Sequence, residues 1–382
     1  MNTDLSLHIG LANIGNTCFF NAVLQALRLS PPIGPMFLTD QPLALREASK
    51  RKQLVGAFQR LMQDFWKENP PNGTRSTMFP RGFFHTLFTV LDETNDGWYQ
   101  RGQQADAAEA IQYILESLHD GMYKTVSMSI TGQTSTCEEV SQIKAIESWA
   151  TYFGKEYSPI IQNFYGQTQI CVQCDTCKSK TERFEPWLMI KSPIPGGEKV
   201  GQPSPSLDTC LLAAFESEVL EDYECTVCSQ RAGHKVNGKA TITNRISRLP
   251  PVVILSIKRF TNEGNKVRGR LAWDLDSFDL HPVFAFSRNP FGDEPISTEY
   301  ETFAVIEHHG SLQGGHYTMF GRQGDAWHEY DDNTITDATP DRVVSADSYV
   351  VFMMPKQGKQ RLQAAFAESV QSLRTRSSAK EA

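Results

Sequence analysis

The 382-residue sequence has no stretch approaching the roughly 18 apolar residues that cross a bilayer as a helix, which sets aside a membrane span. Nor is there an excess of positive charge. Against 37 Lys and Arg stand 44 Asp and Glu, a formal net charge of -7 at pH 7, so no basic footprint for phosphates points to nucleic acid as a partner. Met1 to Gly10 carries no apolar core behind a basic start, and the eight cysteines are therefore expected to stay reduced in an intracellular compartment, cytoplasmic or nuclear. The bias of disordered chains is missing too: 40% hydrophobic and 21% charged residues suffice for a sizeable core. No internal repeat is visible. Reduced thiols in this number need another purpose, either metal binding or catalysis.

Three zones separate by pattern. Residues 1 to about 125 read as helical, with apolar residues at helical spacing in Phe20, Val23, Leu24 and Leu27, again in Leu54, Phe58, Leu61, Met62 and Phe65, and a third time from Asp106 to Leu118. Pro31-Pro32 and Pro70-Pro71-Asn72-Gly73 punctuate them as loops. A Ser/Thr-rich segment from about 127 precedes a helix around Trp149. Beyond 166 the chain looks strand-rich: Pro250 to Ile257, Phe303 to Ile306 and Tyr349 to Phe352 are short apolar runs rich in β-branched residues, and Pro195 to Pro205 reads as a loop. The tail, 356–382, is polar, a loose helix or disordered. Helices first and strands afterwards predict an α+β fold.

Cys18 follows the Gly/Asn-rich turn Gly10-Leu11-Ala12-Asn13-Ile14-Gly15-Asn16-Thr17 and opens an amphipathic helix. A helix N-terminus favours the thiolate, and its amides, with the Asn13 side chain, can face a developing oxyanion. A buried structural cysteine at a helix start is the plainer alternative. A nucleophilic cysteine also needs an imidazole and a group to orient it. His316 in Gly314-Gly315-His316-Tyr317 is the best candidate, with His308 and His309 as competitors, and either Asp331 or Asp332 can orient the ring.

Gly10 to Gln25 resembles the cysteine box of the ubiquitin-specific proteases, Gly-Leu-x-Asn-x-Gly-Asn-Thr-Cys, with Phe20 where Met or Leu is commoner. Tyr300, Ala304, Val305, His308, Gly310, Gly315, His316 and Tyr317 resemble their histidine box, with Thr302 in place of the usual Leu. Gln104-Ala105-Asp106-Ala107-Ala108-Glu109 is similar to the helix start between the boxes, with Ala105 replacing a second Gln. The resemblance runs from about Gly10 to Phe352. It implies a papain-like cysteine peptidase of helical thumb (about 1–125), β-rich palm (about 126–355) and fingers (inserted at about 164–260), forming one catalytic domain over 1–355. It implies Cys18 as nucleophile, His316 as base, Asp331 as orienter with Asp332 in support, and Asn13 as oxyanion donor. Asp106 and Glu109 would hold the basic tail of ubiquitin, with Gly315 and Tyr317 also lining the substrate.

Cys174-x-x-Cys177 and Cys225-x-x-Cys228 each suit a zinc knuckle, and together complete a four-thiolate site; a redox role is the alternative, and Cys171 with Cys174 also has the spacing. The resemblance selects Cys174, Cys177, Cys225 and Cys228 for one structural zinc ion and leaves Cys171 out. No catalytic cofactor is expected. The implied activity is thiol-dependent hydrolysis after the C-terminal glycine of ubiquitin, with ubiquitin and ubiquitinated proteins as partners and the enzyme a monomer. A protease for a ubiquitin-like modifier and an inactive ubiquitin-binding scaffold are the alternatives.

Overall fold

The computed structural model describes residues 8–67, 75–130, 134–196, 205–287, 296–312 and 314–381. The loop expected at Pro70 to Gly73, and 197–204 of the loop expected at Pro195 to Pro205, lie outside the described residues. The helical zone comprises β1 (His8–Leu11), α1 (Cys18–Leu29), α2 (Ile33–Phe37), α3 (Lys52–Trp66), β2 (Arg75–Met78), α4 (Arg81–Thr94) and α5 (Ala107–Met122). α6 (Cys137–Phe153) carries Trp149 and starts at a capping box of Thr136 and Glu139; α7 (Pro159–Phe164) follows.

β3 (Gly166–Cys174) and β4 (Lys180–Trp187) form a hairpin. β5 (Ile190–Pro193) and α8 (Leu207–Ala214) precede β6 (Glu218–Glu224), α9 (Thr226–Ala232) and β7 (Asn237–Arg248). The order β4-β3-β7-β6 makes a four-stranded sheet, the fingers. The region expected at 164–260 is not all fingers, because β5 leaves it to pair in parallel with β8 (Val253–Lys258) of the second sheet.

That second sheet, the palm, adds β9 (Phe278–Asp279), β10 (Glu299–Ser311), β11 (Gly314–Gln323), β12 (Ala326–Asp331) and β13 (Thr334–Ala338). A short α10 (Pro340–Val343) precedes β14 (Ser348–Pro355), and the strands run β13-β12-β11-β10-β14-β8-β5, with β9 on β10. Both faces of this sheet are covered. Along β14, Val350, Phe352 and Met354 join a core shared with α1, α3 and α5, while Val351 and Met353 face a second core with Leu207, Leu211 and Phe278. Burial on both sides is why these strands read as unbroken apolar runs.

Of the two forms expected for the polar tail, the structure shows the helix. It is α11 (Lys359–Glu381), and Phe366, Val370 and Leu373 enter the helical core. Trp66 meets Phe366 edge-on at 5.1 Å, and Arg374 Nε donates to Trp66 O at 3.2 Å. The segment set outside the domain therefore packs into it.

Candidate active site

Cys18 is the first residue of α1, behind Thr17 as N-cap. The helix crosses one face of the palm beside β11. The backbone amides of Tyr317, Phe19 and Cys18 itself lie where they favour the charged form of the Cys18 thiol. These donors favour the thiolate, as expected at a helix N-terminus, but burial outweighs them. Cys18 is 1% exposed, and burial first, then the Asp332 charge, raises its thiol above the ordinary range.

His316 lies next to that amide, half-buried, on β11. Its Nε2 meets Asp331 Oδ1 at 2.6 Å, which leaves Nδ1 as the ring atom free for proton transfer. Of the competing histidines, His308 is buried against Tyr317 and held down to about 4 by burial and then Lys266. His309 turns to Glu307 and Asp347. Neither ring pairs with the Asp331–Asp332 turn.

Asp332 and Asn333 form the two-residue hairpin between β12 and β13, with Asp332 in the left-handed region at φ 49°. The turn is clasped by the cysteine loop. Leu11 N donates to Asp332 O at 2.8 Å, and a side chain on Gly10 would strike Asn333 O at 2.6 Å, so glycine is required there. Asn13 Nδ2 donates to Asp332 Oδ2 at 2.9 Å, and Asn21 Nδ2 to Oδ1 at 2.7 Å. Asn13 Oδ1 accepts from the amides of Gly15 and Thr17, both at 3.1 Å. The amide group of Asn13 is thus aimed by two sets of contacts, and one of its two N–H groups goes to Asp332. Asn21 lies inside the stretch from Gly10 to Gln25 and its signal is readable: Cys18, Asn21 and Gln25 form a polar stripe on a buried apolar helix.

The remaining expected substrate residues divide. Asp106 caps α5, taking the amides of Ala108 and Glu109 on Oδ1 at 2.7 and 3.1 Å, and accepts the Tyr349 hydroxyl on Oδ2. Its carboxylate is largely satisfied within the protein. Glu109 is exposed, its carboxyl raised by partial burial and by Asp106, against Lys191. Gly315 is on the surface of the cleft, bonded to the Gln104 side chain, and a Cβ there would lie 2.4 Å from His309 O. Tyr317, expected to line the substrate, is 5% exposed, its ring among Phe19, His308 and Tyr349, and it lines a small cavity with Gln104, Asp106 and Gly315.

The ubiquitin carboxyl-terminal hydrolase family model matches residues 9–353, across the cysteine loop, His316 and Asp331. The chain belongs to this family. Ubiquitin carboxyl-terminal hydrolase Usp2 of Drosophila melanogaster is 27% identical over 349 residues, covering 90% of this chain and 34% of that protein. Ubiquitin carboxyl-terminal hydrolase 21 of Mus musculus is 27% identical over 368 residues, covering 90% and 61%. The chain thus spans about a third to three fifths of these relatives. Among solved structures, a SAGA DUB module of Ubp8, Sgf11, Sus1 and Sgf73 bound to monoubiquitin matches at TM-score 0.66 and 19% identity, covering 94% of this chain and 71% of that one. At that identity the likeness establishes the shared fold.

The four cysteines of the fingers converge at the far end of the β3–β7 sheet. Their sulfurs all lie within 4.8 Å of one another, with Cys174 to Cys228 at 3.9 Å and Cys177 to Cys225 at 3.5 Å. Metal–thiolate bonds of about 2.3 Å at tetrahedral angles place sulfurs roughly 3.8 Å apart, so the quartet fits a metal ion. Hydrogen bonds from Ser179 pull Cys177 down to about 6, and the neighbouring sulfurs push Cys228 up to about 12. A cation relieves that conflict by taking all four as thiolates. Cys171 lies apart, beside Thr243 on the sheet.

Proposed function

We propose that the chain is a deubiquitinase, a cysteine peptidase that hydrolyses the isopeptide or peptide bond after the C-terminal glycine of ubiquitin. The observation that carries this reading is the His316–Asp331 pair on β11 and β12, set against the N-terminus of the helix that opens with Cys18, with Asn13 clasped to the adjoining turn at Asp332.

In the proposed reaction the extended tail lies between thumb and palm. His316 Nδ1 takes the proton from Cys18 as the thiol attacks the glycine carbonyl, and Asp331 stabilises the imidazolium through Nε2. The second N–H of Asn13 and the Cys18 amide receive the oxyanion, a contribution of about 3 kcal/mol in comparable sites. The lysine amine leaves with the proton from His316, and water activated by the same ring hydrolyses the thioester. Raising the resting thiol keeps Cys18 neutral until a substrate places an electrophile beside it. Glu109 is the acid free to meet a basic tail, while Asp106 organises the helix start.

Cys174, Cys177, Cys225 and Cys228 would hold one zinc ion with a structural role, remote from Cys18. The partners would be ubiquitin and ubiquitinated proteins, the enzyme a monomer, and its compartment the cytoplasm or nucleus. The test is reaction with a ubiquitin C-terminal electrophile, wild type beside Cys18→Ala. A covalent adduct in the wild type alone is expected. An adduct retained in Cys18→Ala, or none in the folded wild type, would refute the assignment.

A further inference from the structure

β10 pairs with β11 from Ala304–Gly321 to Ser311–Gly314, but on the other side β12 covers β11 only from Met319 to Gln323. From Gly314 to Thr318 the second edge of β11 therefore has no strand partner among the described residues. Alternate residues of a strand present their backbone groups to the same edge. The Tyr317 amide, on that same edge, faces the Cys18 thiol and favours its charged form. Two residues earlier, Gly315 N donates to Gln104 Oε1 at 2.7 Å, and Gly315 O accepts from Gln104 Nε2 at 2.5 Å. The side-chain amide of Gln104 makes the two bonds that a residue of an added strand would make with its backbone. Gln104 is exposed and stands just before the N-cap of α5, so the pair bridges thumb to palm. Beneath it is a cavity of about 120 Å³ lined by Asp106, Phe260, His308 and Leu312 among others.

We infer that the Gln104–Gly315 pair is a latch that mimics substrate: Gln104 occupies the strand edge on which the extended C-terminal tail must add to reach Cys18. The incoming peptide takes over the N–H and C=O of Gly315 in the direction of the thiol, and the Gln104 amide turns out to water. The latch follows from the geometry; that its displacer is the tail of ubiquitin rests on the proposed function. A closed latch lowers apparent affinity by the fraction of molecules that are open, and two exposed hydrogen bonds correspond to about threefold to tenfold.

The experiment compares ubiquitin binding by Cys18→Ala with binding by Cys18→Ala/Gln104→Ala, together with hydrogen exchange of the segment containing Gly315 in both. The expected result is tighter binding by that factor in the double variant, with faster exchange at Gly315. Weaker or equal binding would overturn the latch and make Gln104 a clamp or a bystander. If neither protein binds ubiquitin, the proposed substrate fails, and the latch is judged by exchange alone: an unchanged rate at Gly315 would overturn it.

Discussion

Asp332 accepts Asn13 and Asn21 on separate carboxylate oxygens while its carbonyl takes the Leu11 amide, so one turn residue sets the position of the cysteine loop. The same charge helps raise the Cys18 thiol. Asp332→Ala should therefore separate two properties that usually move together. Alkylation of Cys18 by iodoacetamide should show a midpoint at lower pH, while turnover falls about tenfold to a hundredfold as Asn13 loses its anchor. Loss of both reactivity and turnover in parallel would contradict the assignment. His308 supplies a pH dependence of a different kind. Burial first, then Lys266, hold it down to about 4 from the ordinary 6.5. Between those values the unfolded chain binds a proton that the folded one does not, so stability falls as pH drops through that window. In His308→Asn this slope should disappear. Urea midpoints at pH 7 and pH 5 check it, the wild type losing more between the two than the variant.

At the scale of elements, α1 and α11 show opposite relations between pattern and packing. α1 is apolar apart from its polar stripe, and every residue from Cys18 to Arg28 is buried, so its placement follows from its composition. α11 is polar overall, and its apolar residues Phe366, Val370 and Leu373 form only a thin stripe. What holds it is the surface offered by others: Gly34 leaves room for the Phe366 ring, and Arg376 donates to Leu38 O at 2.8 Å. Phe366→Ala should cost about 3 kcal/mol, the usual price of emptying a buried aromatic site. The denaturation midpoint measures this, and a change within error would mean that α11 is loosely held.

Across the whole molecule, thumb and palm share one hydrophobic core, whereas the fingers form a separate sheet with partly exposed strands. Their far end depends on the four thiols. Cys225→Ser/Cys228→Ser should therefore remove one bound zinc per chain by metal analysis. It should also raise hydrogen exchange in β3, β6 and β7, leaving the thumb–palm transition in place. Unchanged exchange with no metal in the wild type would refute the site.

The chemistry was legible in the sequence because it resides in short local patterns: a turn running into an apolar helix at Cys18, glycines before His316, and paired cysteines at a spacing that a knuckle requires. The strands were legible because burial on both faces demands continuous apolar runs. Three features needed the tertiary structure. The helix N-terminus argued for a reactive thiolate, but the charge state of Cys18 depends on how much protein covers it and on Asp332, some three hundred residues away in the chain. The burial of the Tyr317 ring among Phe19, His308 and Tyr349 depends on which way the ring turns, which its position in the motif does not give. The register of β11 against β12, which leaves one edge free for Gln104 to bond, arises from pairing between distant segments and from no local preference. Local sequence determined which groups this protein has available; long-range packing decided which of them are buried, charged or already engaged, since desolvation and pairing depend on neighbours that only the fold brings together.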